Sequence, residues 1–230
     1  MAFDSHIDAS GSLTSITGPM RSGKTDKLKA YLRLHDIAGH RVLLIGHGID
    51  TRTAIDGVYT TGVLTSHNEY GGDLPPSILQ LKVKLLKSVD RTLIESYDVI
   101  AIDEGQFFDD IEVVLVWLLE WNKTLYVSGL KSTDKGTPFG NLYKLDGFVT
   151  EEHKLKALCK VCQHEFNHLT YFFPATMVKC LVEKSGDVLV GADNYISVCL
   201  RHWKMSVEDI QRIMKTPLKN SRERMLNGSE

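Results

Sequence analysis

The segment Gly18-Pro-Met-Arg-Ser-Gly-Lys-Thr25 constrains this chain more than any other stretch. A short apolar and β-branched run, SLTSIT, precedes it, and Leu28, Tyr31, Leu32 and His35 follow at helical spacing. The pattern G-x-x-x-x-G-K-[ST] in that setting predicts strand, tight turn and helix, the frame of a phosphate-binding loop. Its glycines let Gly18, Pro19, Met20, Arg21, Ser22 and Gly23 curl so that backbone N–H groups converge on phosphate oxygens, and the following helix N-terminus adds a partial positive charge. Lys24 is placed to neutralise the β and γ oxygens, and the Thr25 hydroxyl to ligate Mg²⁺.

The remaining pattern extends the same fold. RVLLIG (41–46), DVIAID (98–103) and KTLYVSGL (123–130) read as strands buried on both faces, while DIEVVLVWLLEWN (110–122) reads as a helix. SILQLKVKLLKSVDRTLIES (77–96) reads as one amphipathic helix, and residues 47–76 as a long Gly-, Thr- and Asp-rich loop with a short strand at GVYTT. Strands alternating with helices predict an α/β fold: a phosphate-loop, RecA-like parallel sheet with helices on both faces. After residue 150 the pattern changes to HKLKALCKVCQHEFNHLTYFF and GDVLVGADNYISVCLRHW, which predict short antiparallel strands around a loop. The expected organisation is a flexible tail over 1–12, a nucleotide-binding domain over 13–150, a small metal-binding domain over 151–204, and a C-terminal helix with a polar tail over 205–230.

A hydrophobic fraction of 43% without any run of membrane-spanning length predicts a soluble chain with no membrane partner. The N-terminus MAFDSHIDASGS lacks a basic and then apolar leader, so a cytoplasmic location is expected. A net charge of −2 argues against a surface built for nucleic acid.

A phosphate loop needs a carboxylate for its metal, and Asp103 at the end of DVIAID supplies one. Consecutive residues at a strand end diverge, which leaves Glu104 to face a different reactant as general base. All four cysteines fall in the last third of the chain, which in a reducing compartment favours metal over disulfides. CKVC and CLRH pair Cys159 with Cys162 and Cys199 with His202 at the spacing of a structural Zn²⁺ site. Cys180, His164 and His168 stand as alternatives for the fourth position.

GPMRSGKT, the DTR at 50–52, Ser66-His67, DEGQFF, GLKSTDKGTPFG, the two metal pairs and GADNYISVC occur in an order that resembles the type II thymidine kinases, the zinc-containing cytosolic family. The resemblance runs from about residue 13 to about 203. It implies transfer of the γ-phosphate of ATP to the 5′-hydroxyl of thymidine or deoxyuridine, with Mg²⁺. Glu104 matches the family's general base, Asp50 and Arg52 its loop near the phosphates, and Met20, Phe107, Leu130, Phe139 and Tyr195 its apolar walls around the base. Gln106 is a further polar contact, and Leu169 or Thr170 takes the place of the family's lasso contact. A homotetramer and feedback inhibition by dTTP are implied likewise. The metal unit is expected to anchor the acceptor loop and not the phosphate loop.

The chain departs from that family at Asp134, where an aromatic is usual, at Arg21 in place of phenylalanine, and at CLRH in place of CR.C. Two other functions fit parts of the pattern: a phosphate-loop NTPase acting in nucleic-acid handling, and a zinc-ribbon nucleotide-binding module. The first lacks a basic, aromatic-interleaved stripe; intact Lys24, Thr25, Asp103 and Glu104 argue against the second.

Overall fold

The computed structural model describes residues 11–48, 74–166, 173–182 and 194–216. Close contacts group them into two units. The first holds the chain up to Thr17, Gly23–Lys131 and Pro138–Lys154; the second holds Gly18–Ser22, Ser132–Thr137 and the chain from Leu155 onward. GVYTT and the two chain ends, residues 1–10 and 217–230, lie outside the described residues.

The first unit is a six-stranded sheet with every neighbouring pair parallel. Its strands are β1 (Ser12–Thr17), β2 (Val42–His47), β3 (Leu79–Val83), β4 (Val99–Ile102), β5 (Thr124–Gly129) and β6 (Glu151–Lys154), in the order β3-β2-β4-β5-β1-β6. The helices are α1 (Lys24–Ile37), α2 (Arg91–Ser96) and α3 (Val113–Leu119), and α1 packs across β1, β2, β4 and β5. Val99, Ile100, Ala101 and Ile102 are each at most 1% exposed, as a parallel strand covered on both faces requires. This is the parallel α/β fold that the alternating pattern predicts. Strand β5 separates β1 from β4, so the phosphate-loop strand and the acidic strand are not direct neighbours.

Residues 77–96 do not form the single helix expected of them. Leu79, Leu81 and Val83 alternate with Gln80 and Lys82 and pair with β2, so period two prevails over the helical spacing that the same leucines also satisfy. A 3₁₀ turn at Leu86–Ser88 follows, its amides at Leu86 and Lys87 donating to Asp110 (3.1 and 2.9 Å). Helix α2 starts only where Asp90 caps it, accepting from Thr92 N at 2.7 Å. Strand β6, with the polar sequence EEHK, carries no periodic signal and is held by pairing with β1.

The second unit contains two small antiparallel pairs, β7 (Ala157–Leu158) with β8 (Pro174–Ala175) and β9 (Met177–Cys180) with β10 (Tyr195–Val198). Helices α4 (Lys160–Glu165), α5 (Leu200–Trp203) and α6 (Val207–Lys215) complete it. The strands expected through CKVC and CLRH are helical turns instead, beginning at Cys159 and Cys199. A helical turn brings residues three apart to one face, which is what a chelating pair needs. The core is small: Ala157, Cys159, Val161, Cys162, Ala175, Ile196, Val198 and Ile210. Among the described residues no helix is long and apolar enough to cross a membrane.

Candidate active site and metal centre

Helix α1 begins with Gly23 at its N-cap, in the left-handed region at φ 83°, and no side chain caps it. A helix N-terminus presents N–H groups and a partial positive charge, which favour an anion there. Upstream, a Cβ at Gly18 would stand 2.6 Å from the Leu155 carbonyl oxygen, so no larger residue fits. Arg21 is left-handed at φ 58°, a conformation that costs a non-glycine residue about 1–2 kcal/mol. Ser22 Oγ is buried without a protein hydrogen-bond partner among the described residues. Lys24, 7% exposed, has its pKa lowered by burial, against which the charges of Glu104 and Asp103 work.

Those two acids follow β4. Ile102 is in register with Val127 of β5, which sets Asp103 beside Ser128. Ser128 Oγ donates to Asp103 Oδ1, Thr25 Oγ1 donates to Asp103 Oδ2 (3.1 Å), and the Glu104 amide donates to Asp103 Oδ1 (3.0 Å). Glu104 is left-handed (φ 54°, ψ 43°) and engages a different partner, accepting from Gln106 Nε2 at 2.6 Å. The adjacent carboxylates are thus separated by role: Asp103 sits with Thr25, Glu104 with Gln106. Ser128, fully buried, is a functional neighbour that the sequence reading missed; the register between β4 and β5 is the signal that locates it.

In the same unit the rings of Phe107 and Phe139 meet edge to face with centroids 5.6 Å apart, and Leu130 N donates to Gln106 Oε1 (2.9 Å). His47 of β2, also missed, packs its ring on Phe107 and Phe108. In the second unit, Met20 offers its carbonyl to Ser197 Oγ, and Tyr195 opens β10 opposite Cys180. The Asp134 carbonyl accepts from Trp203 Nε1 (2.8 Å). Asp50, Arg52, Ser66, His67, His168, Leu169 and Thr170 lie outside the described residues.

The sulfurs of Cys159, Cys162 and Cys199 and Nδ1 of His202 lie within 4.8 Å of one another. Nδ1 is 3.3 Å from the Cys159 sulfur and 3.4 Å from each of the others, and the Cys162 and Cys199 sulfurs are 3.8 Å apart. A tetrahedron with Zn–S of about 2.3 Å and Zn–N of about 2.0 Å has edges of about 3.8 Å between sulfurs and about 3.5 Å from sulfur to nitrogen. The residues fit Zn²⁺. Burial and the two other thiols push the Cys162 thiol far above its ordinary value. Burial also opposes ionisation of Cys199, but hydrogen bonds led by the His202 amide bring its pKa down. Three such sulfurs cannot share one buried point as anions without a cation. His202 is fully buried, which lowers its pKa, and its Nε2 stands 3.1 Å from Glu165 Oε2, though out of line for a hydrogen bond. A carboxylate behind a histidine ligand fixes the ring and its tautomer. Two alternatives for the fourth position are engaged elsewhere, Cys180 with the Val182 carbonyl (3.4 Å) and His164 with the Thr216 carbonyl (2.9 Å).

A parallel sheet ending in a glycine-bounded loop, a buried lysine and a hydroxyl–carboxylate pair defines a phosphate-loop nucleotide-binding protein, here joined to a Cys₃His metal-binding unit. A sequence profile described as "Thymidine kinase" matches residues 11–203. The chain is 34% identical over 190 residues to Thymidine kinase 1 of Dictyostelium discoideum, covering 82% of this chain and 76% of that one. It is also 34% identical over 190 residues to the cytosolic thymidine kinase of Gallus gallus (82% and 75% covered), and 28% identical over 191 residues to a thymidine kinase of Pseudothermotoga lettingae (82% and 92%). The chain belongs to the thymidine kinase family.

Proposed function

We propose that the chain transfers the γ-phosphate of ATP to the 5′-hydroxyl of thymidine, with deoxyuridine as a second acceptor. The observation that carries this reading is the cluster of Lys24, Thr25, Asp103 and Glu104 in a member of the thymidine kinase family. Residues Gly18 to Thr25 hold the triphosphate, with Lys24 against its β and γ oxygens. Thr25 and Asp103, already 3.1 Å apart, are the residues that hold Mg²⁺, which when bound neutralises phosphate charge. Glu104 takes the 5′-hydroxyl proton as the oxygen bonds to the γ-phosphorus; the bond to the bridging oxygen breaks and ADP leaves with its electron pair. The family likeness assigns Asp50 and Arg52 to the phosphate end, with Arg52 stabilising the developing charge. It likewise assigns Met20, Phe107, Leu130, Phe139 and Tyr195 to contacts with the base, and Leu169 or Thr170 to the lasso contact.

The family likeness further supports a homotetramer, dTTP as feedback inhibitor and a cytoplasmic location, the last matching the relative named cytosolic. Light scattering and inhibition by dTTP test the first two.

ATP turnover measured alone, with each deoxynucleoside, and with DNA or RNA tests the activity. Turnover dependent on thymidine, with thymidine monophosphate formed, is the expected result. Turnover driven by nucleic acid would identify an NTPase instead, and none under any condition a binding module. Glu104→Gln should retain ATP binding and lose about 10² to 10⁴ in kcat, since proton removal alone is lost. An unchanged kcat would remove Glu104 from the base role.

A further inference from the structure

We infer that Gln106 is a positioning residue for Glu104: its side-chain amide holds the carboxylate in the orientation that proton removal requires. The inference rests on the proposed role of Glu104 as base.

Gln106 is 3% exposed, and both ends of its amide are engaged within the first unit. The Leu130 amide can only donate, and it meets Oε1 at 2.9 Å; the opposite end is therefore the NH₂ group, which donates to Glu104 Oε2 at 2.6 Å. Neighbouring glycines fix this arrangement. A Cβ on Gly129 would lie 2.5 Å from Gln106 Oε1, and one on Gly140, left-handed at φ 61°, would lie 2.0 Å from the Gln106 carbonyl oxygen. The chain is thus stripped of side chains on both sides of Gln106, against its amide and against its backbone. Glu104 itself is a non-glycine residue at φ 54°, a position that persists only where the surroundings over-determine it. A donated N–H restricts the carboxylate's rotation, a requirement of a base that must meet a hydroxyl at hydrogen-bond distance. Lys24 and Asp103 are charged groups of the same cluster, and His47 packs on Phe107 next to it. The effect is read as a difference between variant and parent.

The test is kcat set against the Michaelis constants for ATP and thymidine in wild type, Gln106→Glu and Gln106→Leu. Gln106→Glu keeps an oxygen for the Leu130 amide but sets a carboxylate against Glu104. Its kcat should fall about 10- to 100-fold, because the donor that orients the base is replaced by a repelling group. Gln106→Leu removes the donor without adding charge and should lower kcat several-fold. The Michaelis constant for ATP should stay within about twofold in both. A kcat equal to wild type in either folded variant, while Glu104→Gln is inactive, would overturn the positioning role alone. Full activity in Glu104→Gln would instead overturn the reading of the base on which it stands.

Discussion

Asp103 accepts hydrogen bonds from Thr25, from Ser128 and from the amide of Glu104, and each donor holds the carboxylate for one task. Thr25 arrives through the loop motif and Glu104 through adjacency in the chain, so both were legible in the sequence. Ser128 was not, because only the pairing of β4 with β5 brings a residue 25 positions away to Asp103. Ser128→Ala should leave the fold intact but raise the Mg²⁺ concentration for half-maximal turnover several-fold, since one donor fixing a metal ligand is gone. It should also cost about 1–3 kcal/mol of stability, the penalty for under-satisfying a buried polar group. A Mg²⁺ titration superposable on wild type would dismiss this role. Lys24→Ala should weaken triphosphate binding and turnover together, because that charge contacts ground state and transition state alike. Calorimetry with an ATP analogue and a rate measurement check the pair.

Helix α1 is tied to the sheet by a chain of rings. Tyr31 Oη lies 2.8 Å from His153 Nε2 on β6, His35 Nε2 lies 2.8 Å from Tyr126 Oη on β5, and His35 Nδ1 is 3.0 Å from His40 Nδ1. Tyr31 and Tyr126 stack with centroids 5.0 Å apart. Burial, and then His40, hold the pKa of His35 below the ordinary histidine value. The unfolded chain therefore takes up this proton first, at about pH 6.5, while folded His35 stays neutral. Its contribution is present above that pH and is lost as pH falls below it. The melting temperature should accordingly drop as pH falls below about 6.5. His35→Phe should melt lower at pH 7.5, where Tyr126 loses its partner, yet show a shallower slope across the acid window. Equal slopes for both proteins would exclude His35 as the source. The helix itself was plain from its spacing. Strand β3 was not, because leucines at 79, 81, 85 and 86 satisfy period two and period 3.6 together, and only pairing with β2 decides between them.

At the scale of the whole molecule, the metal-binding unit reaches further than the sequence reading allowed. Its two ligand pairs were plain from spacing, yet the expectation that it would brace the acceptor loop and leave the phosphate loop alone does not match the contacts. Residues Gly18–Ser22 group with this unit: Gly18 lies against the Leu155 carbonyl, and the Met20 carbonyl accepts from Ser197, two residues before the ligand Cys199. Trp203, next to the ligand His202, donates to the Asp134 carbonyl, and its ring lies against Gly136. These are long-range pairings of isolated residues, which no periodicity encodes. The unit's small core cannot offset the ordering entropy of its loops without the metal, whose binding in small domains is worth about 10–16 kcal/mol. Metal analysis should find close to one zinc per chain, and Cys162→Ser or chelation should loosen α4, β10 and α5. Because β10 and α5 hold 18–22 and 132–137, amide exchange should accelerate in both segments. The Michaelis constants for ATP and for thymidine should then rise together rather than thymidine's alone. Exchange by mass spectrometry reads the coupling directly, without reference to activity. Unchanged protection across 18–22 in zinc-free protein, with 200–203 already exchanged, would separate the phosphate loop from the metal and restore the narrower role.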